Sequence, residues 1–106
     1  MTINFLSALS SPMRFIWDLE KEQINIAKHG VDFTKASEAF TDPQARIALD
    51  SVHSTTELRW WLLGLMDGKT LLVRYTHRPG GVIRIIGAGF WSKAEKIYAK
   101  EKKRKY

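Results

Sequence analysis

Cysteine is absent from the 106-residue chain, which excludes a disulfide framework and a thiolate zinc site and fits a reducing cytoplasm. Long apolar runs are also missing. The richest, Trp60 to Met66, is strand-sized and well short of the roughly 18 residues that span a bilayer, so no membrane association is expected. Residues 1–12 are mildly apolar but lack a basic start and a cleavage site; they read as a leader outside the fold, with a single domain over 13–106. Nucleophile elbow, phosphate-binding P-loop and paired dinucleotide-binding glycines are all lacking, since Gly87-Ala88-Gly89 is too short for the last. The spacing of His29, His53 and His77 matches no metal motif, so neither a metal nor another cofactor is expected.

What is present describes one globular domain. Apolar residues make up 44% of the chain, with four Trp and five Phe, a content that disordered chains of this length do not reach. The net charge of +6 is unevenly spread. Seven cations follow Ser92 (Lys93, Lys96, Lys100, Lys102, Lys103, Arg104 and Lys105) against Glu95 and Glu101, which leaves ten of the 17 cations and nine of the 11 anions in residues 1–91. The excess therefore sits on one terminal element, which is either a solvated helix face with a frayed tail or a surface for phosphates.

Asp18 is a good N-cap for a helix over 19–29, stopped by Gly30, whose left-handed conformation costs glycine nothing. In that helix Leu19, Gln23, Ile26 and Ala27 are expected on the buried face, with Glu20, Lys21, Asn25 and Lys28 outside. A short second helix runs from about Thr34 to Phe40 and ends at Asp42-Pro43. The period then changes to two: strands are expected at 45–49, 58–65, 70–77 and 82–87, with Asp67-Gly68 as a type I′ hairpin turn. A last helix opens at Ser92, with Glu95 completing a capping box. The fold class is α+β: an antiparallel meander with two N-terminal helices and one C-terminal helix covering one face.

Alternation puts Arg74, Thr76 and Arg78 on one side of their strand, and Arg59 and Arg84 carry further guanidinium groups into the sheet. Charged groups within strands are costly unless met by a partner or water, so these arginines either pair with carboxylates or lie on the solvated face. Together they suit bidentate phosphate contacts. His29 beside Gly30 suits a helix cap; His53, in the loop before the arginine-bearing strand, is placed where catalytic groups are often presented. Trp60 and Trp61 point to opposite faces, one into the core and the other free to stack on a base or pack under a partner.

Phe15-Ile16-Trp17-Asp18, Asn25 and Lys28-His29-Gly30-Val31-Asp32-Phe33, followed by Ala36…Ala39-Phe40-x-Asp42-Pro43, Asp50-x-x-His53-Ser54-x-x-Glu57-x-Arg59-Trp60, Gly64, Tyr75-Thr76-x-Arg78, Ile83-Arg84-Ile85-Ile86, Ala94-Glu95 and Tyr98, together resemble the signature of the BrnT toxins. The resemblance implies a RelE-like α+β fold and a cytoplasmic, metal-independent endoribonuclease that halts translation. It also implies a BrnA-type antitoxin that neutralises the toxin, contacts operator DNA on behalf of the pair and assembles with it as a heterotetramer. Arg59, Arg78 and Arg84 would bind the scissile phosphate, His53 would act as acid or base, and Lys28 would supply a further cation or a proton. Arg74, Lys93, Lys96 and Lys100 would hold the rest of the RNA. One departure stands out: the family usually carries an arginine where this chain has Gly89, and Phe90 and Trp91 follow. These aromatics either pack against the antitoxin or stack on a base. Two alternatives stand beside an active nuclease: an impaired toxin that mainly binds its antitoxin, which the lost cation suggests, and a plain RNA-binding module using the basic C-terminal helix.

Overall fold

The computed structural model describes residues 13–103, in which β1 (Arg14–Ile16), α1 (Leu19–His29), α2 (Phe33–Glu38), β2 (Arg46–Leu49), β3 (Trp60–Met66), β4 (Lys69–Arg78), β5 (Val82–Phe90) and α3 (Ser92–Lys103) follow in order. The leader expected at 1–12 and the tail cations Arg104 and Lys105 lie outside the described residues. The strands form one sheet in the order β1-β5-β4-β3-β2. From β2 to β5 it is the expected antiparallel meander, and Asp67 and Gly68 both adopt positive φ at its tight turn (53° and 77°). β1 corrects the wholly antiparallel expectation: it lies parallel to β5, pairing Arg14 with Val82 and Ile16 with Arg84, so the sheet is mixed.

Leu62, Leu71, Val73, Tyr75, Ile83 and Ile85 line one face and pack with Val31, Phe33, Ala36 and Ala39 from the α1–α2 region. Burying each large side chain of this set contributes about 1.5–3 kcal/mol. Gly64 permits the approach of the turn at Ala39–Thr41: a Cβ there would stand 2.6 Å from the Ala39 carbonyl oxygen. The C-terminal helix was expected on this same face, and the structure corrects that expectation. Tyr98 and Ile97 of α3 pack instead on Leu63 and Leu72, on the opposite side. Tyr98 OH donates to Asp42 (2.6 Å) and Arg46 Nη2 to the Glu101 carbonyl (3.2 Å), bonds that help to fix α3 there. The capping box at its start is also displaced: Ser92 is already helical, and the Glu95 N–H bonds the Trp91 carbonyl.

α1 forms where its caps predict, with Asp18 accepting from Lys21 N–H and Gly30 in the left-handed conformation. It is turned away from the expected apolar face, although Glu20, Lys21 and Lys28 stay outside as expected. Asn25 is its one buried residue, whereas Leu19 is 72% and Ile26 37% exposed. Glu22, Asn25 and His29, spaced three and four apart, form the inward face. Glu22 accepts from the Trp17 indole and the Phe33 N–H, and the Asn25 amide takes both the N–H and C=O of Ala88 as well as the Val31 carbonyl. β1 pairs with β5 only as far as Arg84. Beyond it the Asn25 amide satisfies the strand edge as a neighbouring backbone would, so that edge is not left open.

Candidate functional site

Directly opposed residues on neighbouring strands share a face. The register Trp61↔Arg74, Thr76↔Arg84 and Arg78↔Val82 therefore collects Arg74, Arg78 and Arg84 with Trp61 on the α3 side of the sheet. Because α3 contacts β3 and β4 at their Leu63–Leu72 end, the arginine end remains open, with Arg74 exposed and Arg78 and Arg84 half-buried. A bulge at Ile86 shifts the pairing from Tyr75↔Ile85 to Arg74↔Gly87. It turns Gly87 and Gly89, rather than Ala88, toward this open face.

The arginines fall into two pairs. Arg78 and Arg59 meet on Glu57, through Nη1–Oε1 at 2.8 Å and Nε–Oε2 at 3.4 Å. The Arg78 hydrogen bond, with the charges of both arginines, holds the Glu57 carboxyl below its ordinary range despite partial burial. No hydrogen bond or ion pair engages Arg74 or Arg84 among the described residues, although the Asp18 carboxylate feels the Arg84 charge. Carboxylate pairing thus applies to Arg59 and Arg78, and the solvated-face alternative to Arg74 and Arg84.

The loop from Asp50 to Arg59 is closed on itself. Asp50 N–H bonds the Arg59 carbonyl, while the Ser54 hydroxyl donates to Asp50 O and accepts from Arg59 N–H. The same loop carries both His53 and Glu57. The His53 Nδ1 lies 2.8 Å from Oδ2 of the buried Asp50, and the ring is about half exposed, at 49%. With Nδ1 as the donor, Nε2 is the atom left for a ligand. Burial alone would push the Asp50 carboxyl up, but the neighbouring Trp61 indole and His53 ring outweigh it and lower it. The Trp61 N–H is turned toward that carboxylate without reaching full hydrogen-bond geometry.

Other sequence candidates are dispersed. Lys28 is exposed on the last turn of α1 and makes no ion pair among the described residues. Lys93, Lys96 and Lys100 are exposed along α3, with the Lys93 ammonium 5.9 Å from the Trp91 ring centroid. Glu57 and Asp50 were not among the sequence candidates. Their signal was local: an acid two residues before Arg59 and another three before His53. His29, expected as a helix cap, instead lays its ring against β5, where a Cβ on Gly89 would stand 3.3 Å from it. Together with Trp61, Arg74 and Trp91 it borders an open cleft of about 310 Å³ over Gly87 and Gly89. Among the described residues no three His, Asp or Glu side chains converge on a metal position. No helix there is long and apolar enough to cross a membrane.

Residues 17–95 match the family model for the ribonuclease toxin, BrnT, of type II toxin–antitoxin systems. The fold is similar to the crystal structure of the Brucella abortus ribonuclease toxin BrnT, at a TM-score of 0.60 and 27% sequence identity, over 76% of this chain and 97% of that one. No curated protein sequence matches the chain.

Proposed function

The chain belongs to the BrnT family of ribonuclease toxins of type II toxin–antitoxin systems, and from that premise we propose that it is a metal-independent endoribonuclease of the cytoplasm. The observation that carries this reading is the open sheet face on which Arg59 and Arg78 flank Glu57, and Arg74 and Arg84 have no ion pair among the described residues. In the proposed reaction a base removes the proton of a ribose 2′-OH, whose oxygen attacks the adjacent phosphate. An acid then protonates the departing 5′-oxygen. His53, held at Nδ1 by Asp50, is suited to the proton transfer through Nε2. Arg59, Arg78 and Arg84 stabilise the charge that builds on the phosphorane, with Glu57 setting the direction of the first two. Lys28 is assigned a supporting cationic role. Arg74, Lys93, Lys96 and Lys100 are assigned to the flanking RNA phosphates.

Purified protein should cleave RNA with EDTA present, and removing a preorganised donor typically costs about 10²–10³-fold in rate. Arg78→Ala and Arg84→Ala are expected to lose activity on that scale. Cleavage intact in Arg59→Ala, Arg78→Ala and Arg84→Ala alike would reject the sheet site. The partner proposed is a BrnA-type antitoxin, forming a heterotetramer that reaches operator DNA through the antitoxin. A second reading is favoured by one residue: with Gly89 where a family cation is expected, the chain would bind antitoxin and RNA without cutting. RNA binding without cleavage would select it.

A further inference from the structure

The cleft over Gly87 and Gly89 has no part in the chemistry proposed above. We infer that it takes a single nucleobase of the bound RNA, stacked on an indole face, a step that rests on the RNA-binding reading. Space is the first argument. The Ile86 bulge turns both glycines to the open face, and a Cβ on Gly87 would meet only Asn25 Oδ1, at an ordinary 3.6 Å. Packing therefore does not require glycine at 87, and its missing side chain becomes room in the cleft. The volume of about 310 Å³ lies at the low end of the range for small-molecule pockets, about 300–1,000 Å³.

The walls supply the second argument. Trp61 and Trp91 meet edge to face, with ring centroids 6.5 Å apart and planes at 87°. Trp91 remains 39% exposed, so indole surface is open to a flat ligand. Polar groups supply the third. Both Asn25 amide protons are spent on Val31 and Ala88 carbonyls, so Asn25 cannot donate to a ligand. His29 and Arg74 border the cleft with no hydrogen bond among the described residues, and are available to a base edge and to a phosphate. Arg84 continues the cationic track along the same face. An apolar protein side chain would use the indoles but leave Arg74 and Arg84 unmatched; a nucleotide engages both.

The test uses full-length protein and short 2′-fluoro oligoribonucleotides, which lack the attacking hydroxyl, with one abasic site moved along the strand. Base–aromatic stacking contributes roughly five- to 150-fold in affinity. At one position, removing the base should weaken binding about five-fold or more. Gly87→Val fills the cleft and Trp91→Ala removes a wall, and each should cut that penalty to about two-fold or less. Gly87→Ala, whose methyl meets nothing closer than 3.6 Å, replaces Gly87→Val if the larger residue lowers the thermal midpoint. RNA binding with no position-specific penalty, or a penalty undiminished in both variants, overturns the cleft assignment and leaves the RNA reading intact. Absence of RNA binding in the wild-type protein removes both. Variants that lose antitoxin binding but keep the penalty would make the cleft an antitoxin surface and the inference wrong.

Discussion

Replacing Asn25 with alanine tests the unusual attachment of α1, since this helix is held to the sheet by polar groups. The Asn25 side chain is 7% exposed and serves three backbone groups: the N–H and C=O of Ala88 at 3.0 and 2.8 Å and the Val31 carbonyl at 2.9 Å. Truncation leaves all three without that partner, at about 1–3 kcal/mol for each that stays buried. The adjoining cleft admits water to some of them, so the lower end applies and the expected loss is about 2–4 kcal/mol. Against the roughly 5–15 kcal/mol of a small domain this is a large fraction. Converted at about 4 °C per kcal/mol, a value suited to a domain of this size, the thermal midpoint should fall by about 8–16 °C. The control is Leu19→Ala on the same helix, which at 72% exposure should change stability by no more than about 0.5 kcal/mol. Urea unfolding followed by far-UV circular dichroism measures both. If Asn25→Ala costs less than about 1 kcal/mol, or Leu19→Ala costs the more of the two, α1 is held by its apolar residues and the reasoning fails.

Gly64→Ala should cost roughly 1–3 kcal/mol or more by denaturant titration, because its methyl would meet the rigid Ala39 carbonyl at 2.6 Å. Glu57→Gln removes the acid shared by Arg59 and Arg78; RNA affinity should rise, and log K should fall more steeply with log salt, by about 0.7 for each additional phosphate neutralised on a single strand. The same substitution has a pH signature. The folded carboxyl titrates below its ordinary 4.5, so its contribution to stability is full above the unfolded pKa and is lost as pH falls through the folded value. Acid unfolding of Glu57→Gln should consequently lose stability less steeply below pH 4.5 than the wild type. Tyr98 behaves oppositely: burial, with its bond to Asp42, pushes its phenol up to about 12. Its contribution is complete below the unfolded value of about 10 and disappears as pH rises through the folded one, which tyrosinate absorbance and unfolding followed together would detect.

Local chemistry made much of the fold legible. Asp18, Gly30 and Asp67-Gly68 act within a few residues of themselves, and each marks the boundary its chemistry implies. Two features depend on distant chain. β1 is only three residues long and gains its ladder from β5, almost 70 residues later, so no periodicity announces it. α1 misled for another reason. Hydrophobic patterning assumes that apolar residues face inward, but the space beside β5 presents a bare strand edge at Ala88, and an amide satisfies that edge where an aliphatic side chain cannot.

The candidate site divides along the same line. Strict alternation places Arg74 and Arg78 together because β4 runs unbroken through both, and the neighbouring register brings Arg84 beside them. The pairing of Arg59 and Arg78 on Glu57 needed a loop closed by Ser54, a tertiary arrangement that spacing alone cannot specify. The bulge matters most. Counting by twos from Arg84 leads to Ile86 and Ala88, whereas the extra residue brings Gly87 and Gly89 to the open face. A cation at position 89 would therefore project into the arginine field. In this chain the His29 ring stands over that glycine. The glycine and the histidine are consequently one feature: a side chain at 89 would displace the ring, and the ring reaches β5 because Asn25, one turn earlier, fixes α1 against Ala88. Gly89 and the attachment of α1 are coupled through the His29 ring, so perturbing Asn25 should disturb the cleft as well as the fold.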